Sequence, residues 1–169
     1  FYAYYAATHE DVYQLLDSGH YHPTEVISEK ISALLSFKKY LPLHVSRPMR
    51  WDSDHVVVLD DELITIAKEI VRNDALDRVK IGLDFFDASI NRIVAWVVGV
   101  RNMQKALLIA LLEPSARLKP MQESSDFTSL FAECEAVKTM EWASVWNEFL
   151  RREGQPDDFE VLGAIRRYE

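Results

Sequence analysis

The chain has 169 residues, 49% of them hydrophobic and 27% charged, with a formal net charge of −8. That length and apolar content allow one real core and exclude a disordered polymer. The acidic balance, with Lys and Arg scattered rather than blocked together, argues against nucleic acid as a partner, because phosphate binding needs a basic face.

A single cysteine, Cys134, excludes an internal disulfide and a zinc site built on Cys pairs, and points to a reducing compartment, the cytoplasm. The start, Phe1-Tyr2-Ala3-Tyr4-Tyr5, is aromatic, with no basic leader and no initiator Met. It reads as cut from something longer, of which these residues would be the C-terminal part.

Residues 12–16 form an apolar run that reads as a strand ending at Asp17, and Ser18-Gly19 turns it into a loop holding His20 and His22. Thr24 is suited to cap the next helix, with Glu25 in its first turn. Ile27, Ile31, Leu34 and Leu35 recur at helical spacing and predict one buried face. Leu41-Pro42-Leu43-His44-Val45 is the second strand, with Pro42 tolerable near its start. After a long loop, Asp60-Asp61-Glu62 opens a helix with stripe Leu63, Ile66, Ala67 and Ile70, stopping at Arg72-Asn73. Val79-Lys80-Ile81-Gly82-Leu83 alternates and ends at Asp84 as the third strand. Ser89 is suited to cap a long helix over residues 90–112, ended by Pro114.

That helix is apolar on more than one face, which predicts cover from both the body of the protein and a second subunit. Arg101, Asn102, Gln104 and Lys105 interrupt it and argue against a membrane span. Residues 121–128 are polar and acidic without an evident role. Residues 127–137, 142–152 and 159–168 read as helices. Trp142 and Trp146 share a helix face and read as packing aromatics rather than a sugar-stacking platform.

Chemistry concentrates in His44-Val45-Ser46-Arg47-Pro48-Met49-Arg50-Trp51-Asp52-Ser53-Asp54-His55. Asp52 and Asp54 are two apart, so in an extended segment they point the same way. Converging carboxylates repel, and a divalent cation removes that cost. The D-x-D pattern is also common on solvated loops, so the rest of the chain must decide. The order strand, helix, strand, helix, strand, helix predicts a parallel sheet with right-handed crossovers. In such folds the carboxyl ends of the strands gather on one face. Asp17, His44 and Asp84 each end a strand, and His20, Asp52 and Asp54 lie just beyond. Six oxygen and nitrogen ligands on one rim suit two nearby ions. They favour Mn²⁺, Mg²⁺ or Co²⁺, with Zn²⁺ also compatible.

The weaker candidates have plainer readings. His22 suits a loop cap, His55 the first residue of the next segment, and His9 the surface. Asp84 could instead cap the following helix. Arg47 and Arg50 would orient the carboxylates or hold a neighbouring subunit. There is no G-x-G-x-x-G, no G-x-S-x-G and no Ser-His-Asp arrangement, so nucleotide-binding and serine-hydrolase readings lack support. A two-metal hydrolase and a non-catalytic metal-binding fragment stay open on these residues alone.

A resemblance narrows the choice. Gly19-His20-Tyr21-His22-Pro23-Thr24-Glu25, His44-Val45-Ser46-Arg47-Pro48, Trp51-Asp52-Ser53-Asp54-His55-Val56 and residues 82–92 resemble L-rhamnose isomerase. The likeness continues through Arg101-Asn102-Met103 to Leu111-Leu112-Glu113-Pro114, and more loosely from Trp142 to the end. It implies an α/β fold: the last three strand–helix units of a (β/α)8 barrel over residues 1–114, then a helical C-terminal extension over 115–169. It implies a homotetramer acting on a small sugar, L-rhamnose, by a hydride shift between C1 and C2 that yields L-rhamnulose. A catalytic Mn²⁺ would be held by residues matching His20, Asp52 and Asp54. A second, structural ion (Mn²⁺, Zn²⁺ or Co²⁺) would be held by residues matching Asp17, His44 and Asp84, with a glutamate from an earlier strand. Asp84 would also assist proton movement. Three strands cannot close a barrel, so the segment alone should be inactive.

Overall fold

The computed structural model describes residues 1–22, 24–49 and 54–168. Asp52, Arg50 and Pro23 therefore lie outside the described residues. The chain divides into two compact units, Phe1–Ala110 and Leu111–Glu169.

The first unit opens with a short helix α1 (Tyr2–Thr8), which the aromatic composition of the start had not suggested. Next come strand β1 (Leu16–Asp17), a single 3₁₀ turn (Ser18–His20) and helix α2 (Ser28–Leu35). Strand β2 (Leu41–Val45), helix α3 (Asp61–Arg72), strand β3 (Val79–Leu83) and helix α4 (Arg92–Leu112) follow. The three strands form one parallel sheet in the sequential order β1-β2-β3.

β2 shows why the sheet has two different faces. Leu41, Leu43 and Val45 are buried, whereas Pro42 and His44 are half-buried. The buried set joins Leu16, Ile31 of α2, and Ile66 and Ile70 of α3 in one core. Fully burying a side chain of this size stabilises by roughly 1.5–3 kcal/mol, before conformational entropy is counted. The opposite face keeps His44 for other uses.

β1 is shorter than the apolar run had suggested. Only Leu16 and Asp17 pair, with Leu43 and His44. Pro42 supplies the reason. The Leu41 N–H points to the other side, where it donates to Arg78 O at 3.1 Å. By strand alternation Pro42 faces β1, where it has no N–H to give.

α3 begins as its sequence predicts. Asp60 Oδ1 accepts the Leu63 N–H at 3.0 Å, Asp61 and Glu62 occupy the first turn, and Leu63, Ile66, Ala67 and Ile70 are buried. α2 does not. Thr24 lies outside the helix, whose first residue is Ser28, and its start has no local side-chain cap. Glu62 of α3 accepts the N–H groups of Ile27 and Ser28 at 2.9 and 3.1 Å instead. A cap from another helix ties α2 and α3 together at their N-termini, beside the ends of the strands.

α4 also starts later than expected. Ser89 donates its hydroxyl and N–H to Asp87 Oδ1 and is not the cap. Asn91 Oδ1 takes that role, accepting from Ile93 N at 2.8 Å and Val94 N at 3.4 Å. The buried stripe is Ala95, Gly99, Met103, Ala106, Ile109 and Ala110. It packs at Gly99 against Phe85, and Asn102 Nδ2 donates to Val57 O at 3.0 Å. Ile93, Trp96, Val98 and Val100 stay exposed, so only one of two apolar faces is covered by the described residues of this unit. By length and composition alone α4 is long and apolar enough to cross a membrane.

The second unit carries four helices, α5 (Ser115–Glu123), α6 (Phe127–Lys138), α7 (Trp142–Arg152) and α8 (Asp158–Tyr168). α5 absorbs part of the stretch that had looked merely polar, and its internal Pro120 disguises it in the sequence. It packs on α6, with Arg117 paired to Glu133. Trp146 is buried and lies 5.8 Å from Phe149, ring to ring, which fits a packing role. α7 ends before Gly154, whose φ of +61° suits glycine.

Candidate metal centre

Parallel register places the candidate ligands side by side. Asp17 lies opposite His44, and His44 opposite Gly82. Asp84 follows β3 directly, with its N–H donating to Val45 O at 3.3 Å. His44 Nδ1 sits 3.2 Å from Asp17 Oδ2 and 3.3 Å from Asp84 Oδ2. Gly82 leaves that ring its room: a Cβ there would come within 3.2 Å of His44 Cδ2.

Asp17 is the buried member of this cluster. Its Oδ1 accepts the Gly19 N–H at 3.0 Å, closing the 3₁₀ turn that begins beside it. That turn swings His20 back, so that His20 Nε2 lies 3.5 Å from Asp17 Oδ2. Asp54 reaches the same place from the loop after β2. Two groups result, Asp17–His20–Asp54 and Asp17–His44–Asp84, and within each the ligand atoms lie within 4.8 Å of one another. Asp17 belongs to both. Carboxylate and imidazole donors in this arrangement suit hard or borderline divalent cations.

The loop carrying Asp54 is held at several points. Arg47 and His55 exchange backbone hydrogen bonds of 2.9 and 3.2 Å. Arg47 Nε donates to Val56 O at 3.1 Å, so this arginine closes the loop. The Phe86 N–H donates to Asp54 O at 2.8 Å, tying the loop to the chain beyond β3. His55 Nδ1 lies 3.7 Å from Asp87 Oδ2. The hydroxyl and N–H of Ser89, aided by His55, hold the Asp87 carboxyl below the usual carboxylate range.

Five of the six sequence candidates fall in the described residues, and the structure brings all five together. Asp52 lies outside the described residues. His55 is part of neither group, and His22 Nδ1 lies 2.6 Å from Thr24 Oγ1 at the edge of its own loop. His9 is exposed and stacks on Tyr5. Local sequence gives no role to Gly19 and Ser46, which lie against Asp54, or to Ser18, which holds Ser46. The only signal for them was small residues immediately after two strands that end in ligands.

A parallel sheet whose carboxyl edge gathers three carboxylates and two imidazoles defines an α/β protein with a rim of groups that could hold metal ions. Comparison with known proteins makes this particular: the family model for L-rhamnose isomerase (RhaA) matches residues 1–169, and the chain belongs to that family. It is 56% identical over all 169 residues to the L-rhamnose isomerases of Cronobacter sakazakii and of Escherichia coli O139:H28. It is 55% identical to that of Enterobacter sp. strain 638 over the same length. In each case the whole of this chain is matched, and it spans 40% of the relative's length.

Proposed function

We propose that the protein to which these residues belong interconverts L-rhamnose and L-rhamnulose, an aldose–ketose isomerisation by hydride shift between C1 and C2. The observation that carries the reading is the 56% identity to L-rhamnose isomerases along the full chain. The two ligand groups that share Asp17 add the chemistry such a reaction uses. Bound divalent ions would act as Lewis acids on the oxygens of a sugar held at the rim.

The roles of this chain's residues are those the family resemblance implies, and for the described residues the two ligand groups support them. His20 and Asp54, with Asp52, hold the catalytic ion, taken to be Mn²⁺. Asp17, His44 and Asp84 hold the structural ion, Mn²⁺, Zn²⁺ or Co²⁺, with a further ligand from outside this segment. Asp84 is the accessible carboxylate of that set, its side chain 44% exposed against 8% for Asp17. It is therefore the group placed to take or give a proton at a sugar hydroxyl, while Asp17 is confined to holding charge. Residues 1–114 supply three strand–helix units of a (β/α)8 barrel, and 115–169 form a helical extension. The sequential strand order, with α2 and α3 sharing one core, supports a barrel segment over a doubly wound sheet. The exposed apolar face of α4 serves subunit contacts in a cytoplasmic homotetramer.

The test is L-rhamnulose formation by the intact protein supplied with Mn²⁺, before and after Asp52→Asn and Asp54→Asn. Loss in both variants is the expected result. Full activity in both would rule out the ligand assignment, and an intact wild-type protein that makes no L-rhamnulose would overturn the function.

A further inference from the structure

We propose that Ser46 and Gly19 are the positioning residues of Asp54: the Ser46 hydroxyl fixes the carboxylate, and the bare Cα of Gly19 leaves the space that the carboxylate fills. The inference rests on Asp54 being a metal ligand, as proposed above.

Asp17 and His44 are carried by strands, so sheet register fixes them. Asp54 is carried by a loop and needs another constraint. The Ser46 hydroxyl provides one, donating to Asp54 Oδ1 at 2.9 Å. Such a bond sets the rotation of the carboxylate about its Cβ–Cγ axis and leaves its second oxygen uncommitted to Ser46. Ser46 is itself held in place by its neighbours. It is 5% exposed, its N–H donates to Ser18 Oγ at 2.8 Å, and the Ser18 hydroxyl donates back to Ser46 O at 2.8 Å. Ser18 follows β1 directly and Ser46 follows β2 directly, so this reciprocal pair continues the β1–β2 contact past the ends of the strands. The donor to Asp54 is thereby built into the sheet edge.

Gly19 supplies the other half. Its backbone is not in the left-handed region, so conformation does not call for glycine. Space does. A Cβ at position 19 would lie 1.8 Å from Asp54 Oδ1 and 2.4 Å from Ser46 Oγ, closer than real contacts allow. Any side chain there would displace the carboxylate from its hydrogen bond. The turn that brings His20 to Asp17 is thus also the floor on which Asp54 rests.

Ser46→Ala isolates the effect, because both links between Ser46 and Ser18 use the Ser46 backbone and survive. The experiment is Mn²⁺ titration of the metal-free intact protein, with bound ion counted from loss of the free-ion electron paramagnetic resonance signal. Circular dichroism of the metal-free protein checks the fold. Ser46→Ala is expected to weaken binding by roughly ten- to a hundredfold, the usual range for an outer-shell partner. In an Asp54→Ala background the same change should shift affinity by no more than about twofold, as it acts only through Asp54. Gly19→Ala should also weaken binding, and Asp54→Ala should cancel its additional effect. If Ser46→Ala is recovered poorly, Ser46→Cys keeps the volume with a weaker donor and should give an intermediate affinity.

An equal loss from Ser46→Ala in both backgrounds would make Ser46 a packing residue and overturn the proposal. Unchanged affinity in Ser46→Ala, with a loss in Asp54→Ala, would overturn it while leaving the ligand reading intact. Unchanged affinity in Asp54→Ala would instead remove the ligand reading on which it rests.

Discussion

Gly99 offers a sharp test of how α4 is seated, because two effects of known size oppose each other there. Gly99→Ala in the middle of a helix ordinarily gains about 1 kcal/mol from helix propensity. Here the new Cβ would lie 2.3 Å from Phe85 Cζ and 2.8 Å from Phe85 Cε1. Phe85 is 6% exposed and belongs to the core, so its ring yields only by repacking against its neighbours. Overpacking of a close-packed core costs typically 1–3 kcal/mol, and an approach this short belongs at the upper end, giving a net loss of about 1–2 kcal/mol. The consequence reaches the rim. Phe85 follows Asp84 directly and precedes Phe86, whose N–H holds Asp54 O. Gly99→Ala should lower the urea midpoint of the intact protein and weaken Mn²⁺ binding with it. Phe85→Leu trims the ring, so the double variant should be more stable than the sum of the two single losses by about 0.5–3 kcal/mol. A Gly99→Ala protein as stable as wild type, or more so, would show that the ring has room and refute the packing argument.

Two further predictions concern stability away from the rim. Glu62→Ala leaves the Ile27 and Ser28 N–H groups without their acceptor and should cost about 1–2 kcal/mol in urea denaturation, given that hydrogen bonds to charged groups are worth about 1.5–3 kcal/mol and this one is only half-buried. Glu62→Gln keeps an acceptor and should recover most of that; an alanine variant with an unchanged midpoint would show that water replaces the cap. In α7, hydrogen bonds from Arg151 and then Arg152 lower the Glu148 carboxyl from 4.5 to about 2. A depressed carboxylate contributes stability that is fully present above its unfolded value and is lost as pH falls from about 4.5 through about 2. The group is open to solvent, which screens the pairing, so the contribution is small and the check is a side-chain NMR titration. Its midpoint should lie near 2 and rise in Arg151→Ala, and a midpoint near 4.5 in the wild-type protein would refute the pairing.

The gathering of Asp17, His44 and Asp84 at the strand ends was legible in the sequence because parallel pairing does their placement. Asp17, His44 and Asp84 each close an apolar run, and a parallel sheet brings such ends together whatever the helices between them do. His20 and Asp54 were legible as residues in the loops beyond those ends. What packs around them was not. Nothing local to Gly19 says that residue 54 will lie against it, since that contact is made across the sheet edge. The same holds for the α2 cap. Thr24 looked right in its own neighbourhood, but the acceptor comes from Glu62, thirty-five residues beyond Ile27. Pro42 truncates β1 through the side of the strand it faces, which a single-strand pattern does not reveal. α5 hid behind an internal proline and a polar surface. At Gly19, the α2 cap and Pro42, a contact distant in sequence outcompetes the local preference.

Asp17 gives the two ligand groups a thermodynamic connection that can be measured. It is the carboxylate common to both, whereas His20 belongs to one group and Asp84 to the other. Each ion that binds only the folded protein stabilises it by about 2.7 kcal/mol at a concentration one hundredfold above its dissociation constant. The intact wild-type protein should therefore gain about 5 kcal/mol from saturating Mn²⁺ at two such sites. His20→Asn and Asp84→Asn each disable one group and should keep about half of that gain, near 2.7 kcal/mol. Asp17→Asn preserves the side chain's shape, and its amide oxygen can still accept the Gly19 N–H, but it removes the shared charge from both groups. It should keep almost none of the gain, although it changes a single residue. Thermal unfolding with and without Mn²⁺, run on the four proteins, separates the cases. An Asp17→Asn protein that retains half of the wild-type gain would mean that one ion binds without this carboxylate, and the shared-ligand arrangement would be wrong.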